Sequence, residues 1–206
     1  HGLEALANPW NWCLGFAVFF LARLLGSLYL INNIDDEVLP PRFRRQLLID
    51  VVPFLIFFLA FVGKLLLGDG VVSIESGKYA ANLFGNIYIL LLFLVGVVGV
   101  LAGIILTLLR PAFKRGIWAA GIGTVLTVMA LFLIAGLNGT SYYPSTADLQ
   151  SSLTIENSCS SEFTLRTMAI VSLVIPFVLA YIIYCWRAID LRSITRKEME
   201  EEDHKY

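Results

Sequence analysis

The chain has 206 residues, of which 58% are hydrophobic and only 15% are charged. Soluble domains carry about 45–50% apolar and about 25% charged residues, so this composition indicates an integral membrane protein and excludes an ordinary soluble enzyme. The net charge of -1 conceals a segregation of the charged residues into short stretches between long apolar ones. No basic face for nucleic acid is present in such a pattern.

Five apolar segments are long enough to cross a bilayer. A spanning helix needs about 20 mostly apolar residues, because about 30 Å of hydrocarbon must be crossed at about 1.5 Å per residue. The predicted spans are residues 12–31, 47–67, 87–109, 117–137 and 168–186, followed by a charged tail at 187–206. Backbone groups in lipid must be hydrogen-bonded within the segment, which favours helices. The sequence therefore predicts one all-α transmembrane domain, 1–206, with its five helices in a bundle.

The basic residues predict the orientation of these spans. Lys and Arg accumulate in short loops on the cytoplasmic side of a membrane. Most of the 15 basic residues of this chain lie after span one, after span three and after span five, namely Arg42, Arg44, Arg45, Arg110, Lys114, Arg115, Arg187, Arg192, Arg196, Lys197 and Lys205. We therefore expect the amino end to lie outside and the carboxyl end to lie in the cytoplasm.

Three ionisable residues fall within or close to the spans, where a charge is costly. Lys64 is near the end of span two and can extend its ammonium group to the interface. Arg23 and Asp50 lie deeper, and we predict that they form a structural intramembrane ion pair, because a paired arginine and carboxylate satisfy each other. A role for Arg23 in a proton path or in lipid binding is the alternative.

Small residues in the spans indicate close helix packing. Gly96, Gly99 and Gly103 share one face of span three, with the GxxxG spacing that lets two helices approach closely. Pro176 interrupts span five and predicts a kink, with Ser172 placed to bond a carbonyl that the kink frees.

Ligands for a haem or a metal are scarce in the sequence. The two histidines, His1 and His204, stand at the extremities of the chain. Met129 and Met168 lie within spans, but a single methionine in a membrane helix is typical of packing. The three cysteines are too scattered for a metal or redox pair. We therefore expect no cofactor or metal site in this chain.

Motifs near the two ends of the chain resemble a known family. Asn8-Pro9-Trp10 precedes span one; Tyr143-Pro144-Ser145 is followed by SLTIENSCSS at 152–161 and by TLRTM at 164–168. This pattern resembles the carboxyl-terminal half of subunit II of cytochrome bd-type quinol oxidases. The spans between the motifs match in order, length and orientation. Cys159, where a smaller residue is expected, and Arg23 depart from the family pattern.

The resemblance implies a function that the residues alone do not give. It implies a fragment that lacks an amino-terminal four-helix half and belongs to the haem-free subunit of a quinol:oxygen oxidoreductase. Such a subunit supports a haem-bearing subunit I, with haems b and d in that partner, and catalyses nothing alone. Membrane lipid and a structural quinone are further implied partners, and the prokaryotic cytoplasmic membrane is the implied location.

Two other classes of function compete with this interpretation. A five-span transporter fragment would have discontinuous helices and polar residues that meet at the membrane midplane, a pattern to which only Arg23 contributes. A membrane scaffold or assembly protein would also show five spans without chemistry.

Overall fold

The computed structural model describes residues 6–68, 77–142, 144–145, 148–191 and 194–195. Nearly all of its regular structure is helical. The helices are α1 (Pro9–Asn33), α2 (Leu39–Leu66), α3 (Lys78–Gly85), α4 (Ile87–Leu109), α5 (Gly116–Gly136), α6 (Ile155–Ser158), α7 (Glu162–Ser172) and α8 (Ile175–Asp190). Five segments are long and apolar enough to cross a membrane: α1, α2, α4, α5, and α7 with α8 taken together as Glu162–Ile189. The predicted all-α fold with five membrane-spanning helices is confirmed.

The second span begins earlier than hydropathy predicts, at Leu39 rather than at residue 47. Asp36 Oδ1 accepts hydrogen bonds from the backbone N–H of Val38 at 2.6 Å and of Leu39 at 2.9 Å, which satisfies donors at the start of the helix. Pro40 follows in the first turn, where a proline costs no hydrogen bond. The basic residues between 42 and 45 therefore lie on the helix, in turns that an apolar window excludes.

The last span consists of two helices, α7 and α8, that meet before Pro176. Leu173 N–H donates to Ile170 O at 3.1 Å, three residues back, so the helix tightens there. Ser172 Oγ donates to Ala169 O at 2.7 Å, the carbonyl that Leu173 would bond in a continuous α-helix. The interruption therefore has the proline and serine chemistry that the sequence predicts.

Four of the spans pack together and the fifth stands apart. α1 pairs with α2 and α4 with α5 as two antiparallel hairpins, and a large apolar cluster joins the two hairpins. The buried members of that cluster are Leu24, Leu28, Ile31, Leu47, Phe54, Val100, Ile104 and Ala120. In the most apolar 18-residue stretch of the last span, no residue is buried. The predicted bundle is therefore a four-helix bundle with an unpacked fifth span beside it.

The bundle has two chemically different ends. The basic end contains the α1–α2 and α4–α5 connections, where Lys114 Nζ lies 2.9 Å from Asp35 Oδ1. The two-residue strands β1 (Ile34–Asp35) and β2 (Ile194–Thr195) pair in parallel there and bring the end of the last span to the same side. The loop end contains α3 and the segment between α5 and α7. Most of the predicted charged tail, residues 196–206, lies outside the described residues.

Candidate functional site

Two of the three ionisable residues predicted within or close to the spans, Arg23 and Asp50, meet between α1 and α2. Arg23 Nε donates to Asp50 Oδ2 at 3.1 Å. The carboxylate of Asp50 is 1% exposed, whereas the Arg23 side chain is 43% exposed on the surface of the bundle. The guanidinium carbon of Arg23 also lies 5.7 Å from the centre of the Phe19 ring. The structure thus brings together the two residues that the sequence suggests as an ion pair, with the carboxylate buried and the guanidinium half exposed.

The two charged residues lie at nearly the same depth in the bundle. At about 1.5 Å per residue, Arg23 is about 15 Å from the end of α1 at Asn33, and Asp50 is about 16 Å from the start of α2 at Leu39. An estimate from the predicted start of span two at residue 47 places Asp50 about 7 Å nearer the membrane surface than Arg23. The earlier start of α2 removes that offset, so the two residues lie close enough in depth for the hydrogen bond between them.

Sequence reasoning missed a third member of this group, Gln46. Its Nε2 donates to Asp50 Oδ1 at 3.0 Å, from one turn earlier on α2. Each carboxylate oxygen of Asp50 therefore has a donor, which a buried charge requires. The i, i+4 spacing of Gln46 and Asp50 is a signal that could have identified the contact. The arrangement holds a neutralised charge pair in place and suits a structural role.

The glycines of α4 lie where α4 and α5 touch. A Cβ added to Gly103 would lie 2.6 Å from Gly116 O and 2.8 Å from Ala120 N. One added to Gly96 would lie 2.6 Å from Thr127 N, and one added to Gly99 would lie 3.1 Å from the Cα of Gly123. All three predicted packing residues therefore face the backbone of α5. The absence of side chains along this seam lets the two helices approach closely.

An apolar cleft of about 80 Å³ lies between the two hairpins, next to the apolar cluster that joins them. Its lining comes from all four bundled helices and includes Leu14, Leu21, Phe58, Val97 and Leu131. Thr124 and Thr127 also line it, but the hydroxyl of each donates to its own helix, to Ala120 O and Gly123 O respectively, both at 2.8 Å. The cleft is suited to an apolar chain rather than to a polar head group.

A network of buried polar groups closes the loop end of the bundle. Asn82 Nδ2 of α3 donates to Ile134 O at 2.9 Å and to Leu137 O at 3.0 Å, carbonyls at the end of α5. Tyr79 OH donates to Ser141 O at 2.7 Å, and burial raises the pKa of this phenol above its usual value. The two bonds from Asn82 satisfy carbonyls at the end of α5, where no further helical turn supplies N–H donors. The sequence analysis did not predict α3, because a short amphipathic helix is not detected by hydropathy averaged over the length of a membrane span.

The motifs that carry the family resemblance have structural roles. Asn8 Oδ1 accepts from Trp10 N–H at 3.0 Å and so caps the start of α1, with Pro9 as its first residue. Thr154 and Asn157 form a capping box on α6. Ser152 Oγ accepts from Ser145 N–H at 2.8 Å. Tyr143 lies outside the described residues. These motif residues therefore fold the loop end and position the spans.

The spans contain no histidine, which is the commonest axial ligand of haem iron. Both histidines of the sequence lie beyond the spans and outside the described residues. In the described part of the chain, no three His, Cys, Asp or Glu side chains gather as a metal site requires. Met129 is on α5 and Met168 is on α7, which does not pack with α5. Axial ligation of a haem by His or by a pair of methionines is therefore not available within these spans.

Comparison with protein families identifies the chain. The model of cytochrome bd terminal oxidase subunit II matches residues 2–189, which is nearly the whole sequence. No curated protein matches the chain. The matched range includes all five membrane spans, the Arg23–Asp50 pair and the glycine seam. The chain belongs to the cytochrome bd terminal oxidase subunit II family, and is therefore a multi-pass membrane component of an oxidase complex.

Proposed function

We propose that this chain is a haem-free subunit of a cytochrome bd-type quinol:oxygen oxidoreductase and supports a separate haem-bearing subunit I. In this proposal the chain catalyses nothing alone, and haems b and d reside in the partner. The family match supports an oxidase over a transporter or a membrane scaffold.

One observation carries the haem-free assignment. Between residues 2 and 203 the sequence contains no histidine, so none of the five spans can offer the commonest axial ligand of haem iron. The acidic residue buried in the bundle, Asp50, is already engaged by Arg23 and Gln46. The spans instead offer packing surfaces: a glycine seam, an apolar cleft and an unpacked last helix. Packing surfaces without ligands for a cofactor are typical of a subunit that supports its partner by packing.

The proposal extends to lipid and to location. The apolar cleft has room for part of an acyl or isoprenoid tail, which supports membrane lipid or a structural quinone as a further partner. The basic end gathers Arg42, Arg45, Arg110 and Lys114. Because Lys and Arg accumulate on the cytoplasmic side of a membrane, this end faces the cytoplasm in our proposal. The amino end then faces outside, in a prokaryotic cytoplasmic membrane.

The ligand assignment can be tested in the intact complex by changing the two span methionines, Met129 and Met168, to leucine. Leucine keeps the volume and hydrophobicity but cannot ligate iron. We expect the reduced-minus-oxidised haem spectrum and the haem content of the purified complex to be unchanged. Loss or shift of a haem band in either variant would show that this chain supplies a ligand and would overturn the proposal.

A further inference from the structure

One face of α1 is exposed along most of its length. Its exposed residues recur at helical spacing, three or four positions apart, so they line a single stripe. We call this stripe the Arg23 face; its members are Trp12, Gly15, Phe16, Phe19, Ala22, Arg23 and Gly26. The neighbouring spans cover the opposite side of α1, where Ala17, Leu24, Leu28 and Ile31 are buried.

A charge on this face is costly when only lipid surrounds it. Arg23 lies about 15 Å from one end of α1 and about 21 Å from the other, close to the middle of the span. Its guanidinium is held at this depth by the hydrogen bond to Asp50, so it cannot extend to the interface while the pair is intact. Half-exposed charge near the centre of a bilayer is costly, and such residues normally face protein.

The remaining donors of Arg23 indicate what the neighbour must offer. Within the described residues, the guanidinium is hydrogen-bonded through Nε to Asp50, and its two terminal amino groups bond to none of them. Because Asp50 already neutralises the charge, a second carboxylate would add a buried negative charge at a cost. The complementary group is therefore a neutral oxygen acceptor, such as a hydroxyl, an amide or a backbone carbonyl.

The face also has room for a second helix to approach. A Cβ added to Gly15 or to Gly26 would meet nothing within 4 Å, whereas Gly96, Gly103 and Gly123 face the backbone of a partner helix. On α4 and α5, a helix face that contains glycine is thus covered by the backbone of a second helix. Gly15 and Gly26 stand on either side of Arg23 on a face that has no such cover.

We propose that the Arg23 face is an interface that receives a transmembrane helix of the oxidase complex other than the five spans of this chain, and that this helix places a neutral oxygen acceptor against Arg23. This goes beyond the proposed function, because it depends on membership of a multi-subunit complex and not on where the haems lie. A lipid phosphate drawn down to Arg23 is the competing occupant.

Photo-crosslinking in the purified complex distinguishes a transmembrane helix from a lipid as the occupant of the Arg23 face. Benzoylphenylalanine replaces Phe19 on the Arg23 face or, as the control, Met129 on α5; both native side chains are 52% exposed. The two positions also lie at similar distances from the basic end, about 20 Å. We expect the Phe19 probe to give mainly adducts with another transmembrane helix and the Met129 probe mainly lipid adducts. Mainly lipid adducts at Phe19, or equal helix adducts at both positions, would overturn the proposal.

A pair of glycine variants provides an independent test. A Cβ added to Gly26 or to Gly121 would meet nothing within 4 Å, so a leucine at either position starts in open space and we expect both variants to fold. We expect Gly26→Leu to reduce the yield of intact complex several-fold and Gly121→Leu to leave it unchanged. Haem content per complex is measured in the same samples, so that a failure of docking is distinct from a failure of the haem assignment. Unchanged yield with Gly26→Leu, or equal loss with both variants, would contradict the proposal.

Discussion

The α4–α5 seam gives the sharpest prediction about stability. In Gly103→Ala the new Cβ would lie 2.6 Å from Gly116 O, 2.8 Å from Ala120 N and 2.9 Å from Ala120 Cβ. Two of these neighbours are backbone atoms, and they cannot rotate away. The helices must therefore separate to accept the methyl group.

The loss of stability expected for Gly103→Ala follows from these distances. Ordinary contact begins at 3.4 Å, so the local separation needed is about 0.8 Å. A gap of about 0.5–1 Å forfeits about a quarter to a half of each dispersion contact. Overpacking of this kind costs about 1–3 kcal/mol, and we expect Gly103→Ala to fall in the upper half of that range. Gly99→Ala, whose nearest contact is 3.1 Å from Gly123 Cα, needs a smaller shift and should cost less.

Gly121→Ala is the matched control, because its Cβ would meet nothing within 4 Å. Alanine has the higher helix propensity, so this change should be neutral or stabilising by up to about 1 kcal/mol. The assay is unfolding of the purified protein in mixed micelles by increasing SDS, followed by circular dichroism. The expected order of stability is Gly121→Ala, then Gly99→Ala, then Gly103→Ala. Equal midpoints for Gly103→Ala and Gly121→Ala would refute the reasoning.

Three further predictions concern the ion pair, the loop end and the orientation. Arg23→Ala should reduce complex yield more than Arg23→Ala/Asp50→Asn does, with a coupling of about 0.5–3 kcal/mol, because the single change leaves a buried carboxylate; additive effects would show that the two residues act independently. Asn82→Ala should destabilise the protein by about 1–3 kcal/mol in the same SDS titration, since the buried carbonyl of Ile134 at the end of α5 loses its side-chain donor, and an unchanged midpoint would contradict this. With the native cysteines replaced by serine, a membrane-impermeant thiol reagent should label Gln150→Cys and not Ala112→Cys in intact cells; the reverse would overturn the proposed orientation.

The sequence predicted the spans because the bilayer imposes a length and a polarity that hydropathy detects directly. It also identified the glycines of α4 from their spacing alone. It missed the start of α2, because Arg42, Arg44 and Arg45 lie on helical turns that an apolar window rejects. It missed Gln46, because a neutral amide gives no charge signal in an otherwise apolar segment.

The sequence also did not predict that the last span lies outside the four-helix bundle, and the reason is different. Its residues are as apolar as those of the bundled spans, with a mean hydropathy of 2.4 against 2.0 to 3.1 for the other four. Lipid tails and protein interiors are about equally apolar, so hydropathy cannot tell which helix faces the bundle. The same limit hides the Arg23 face, which becomes visible only when burial is known residue by residue.

The most direct test of the central claim is the haem content of this chain expressed without subunit I and compared with the purified complex. Reduced-minus-oxidised spectra and a haem-to-protein ratio are measured on both samples. We expect no stoichiometric haem in the chain alone and a full set of haem bands in the complex, because the spans contain no histidine. Stoichiometric haem bound to the chain alone would contradict the assignment of a haem-free subunit.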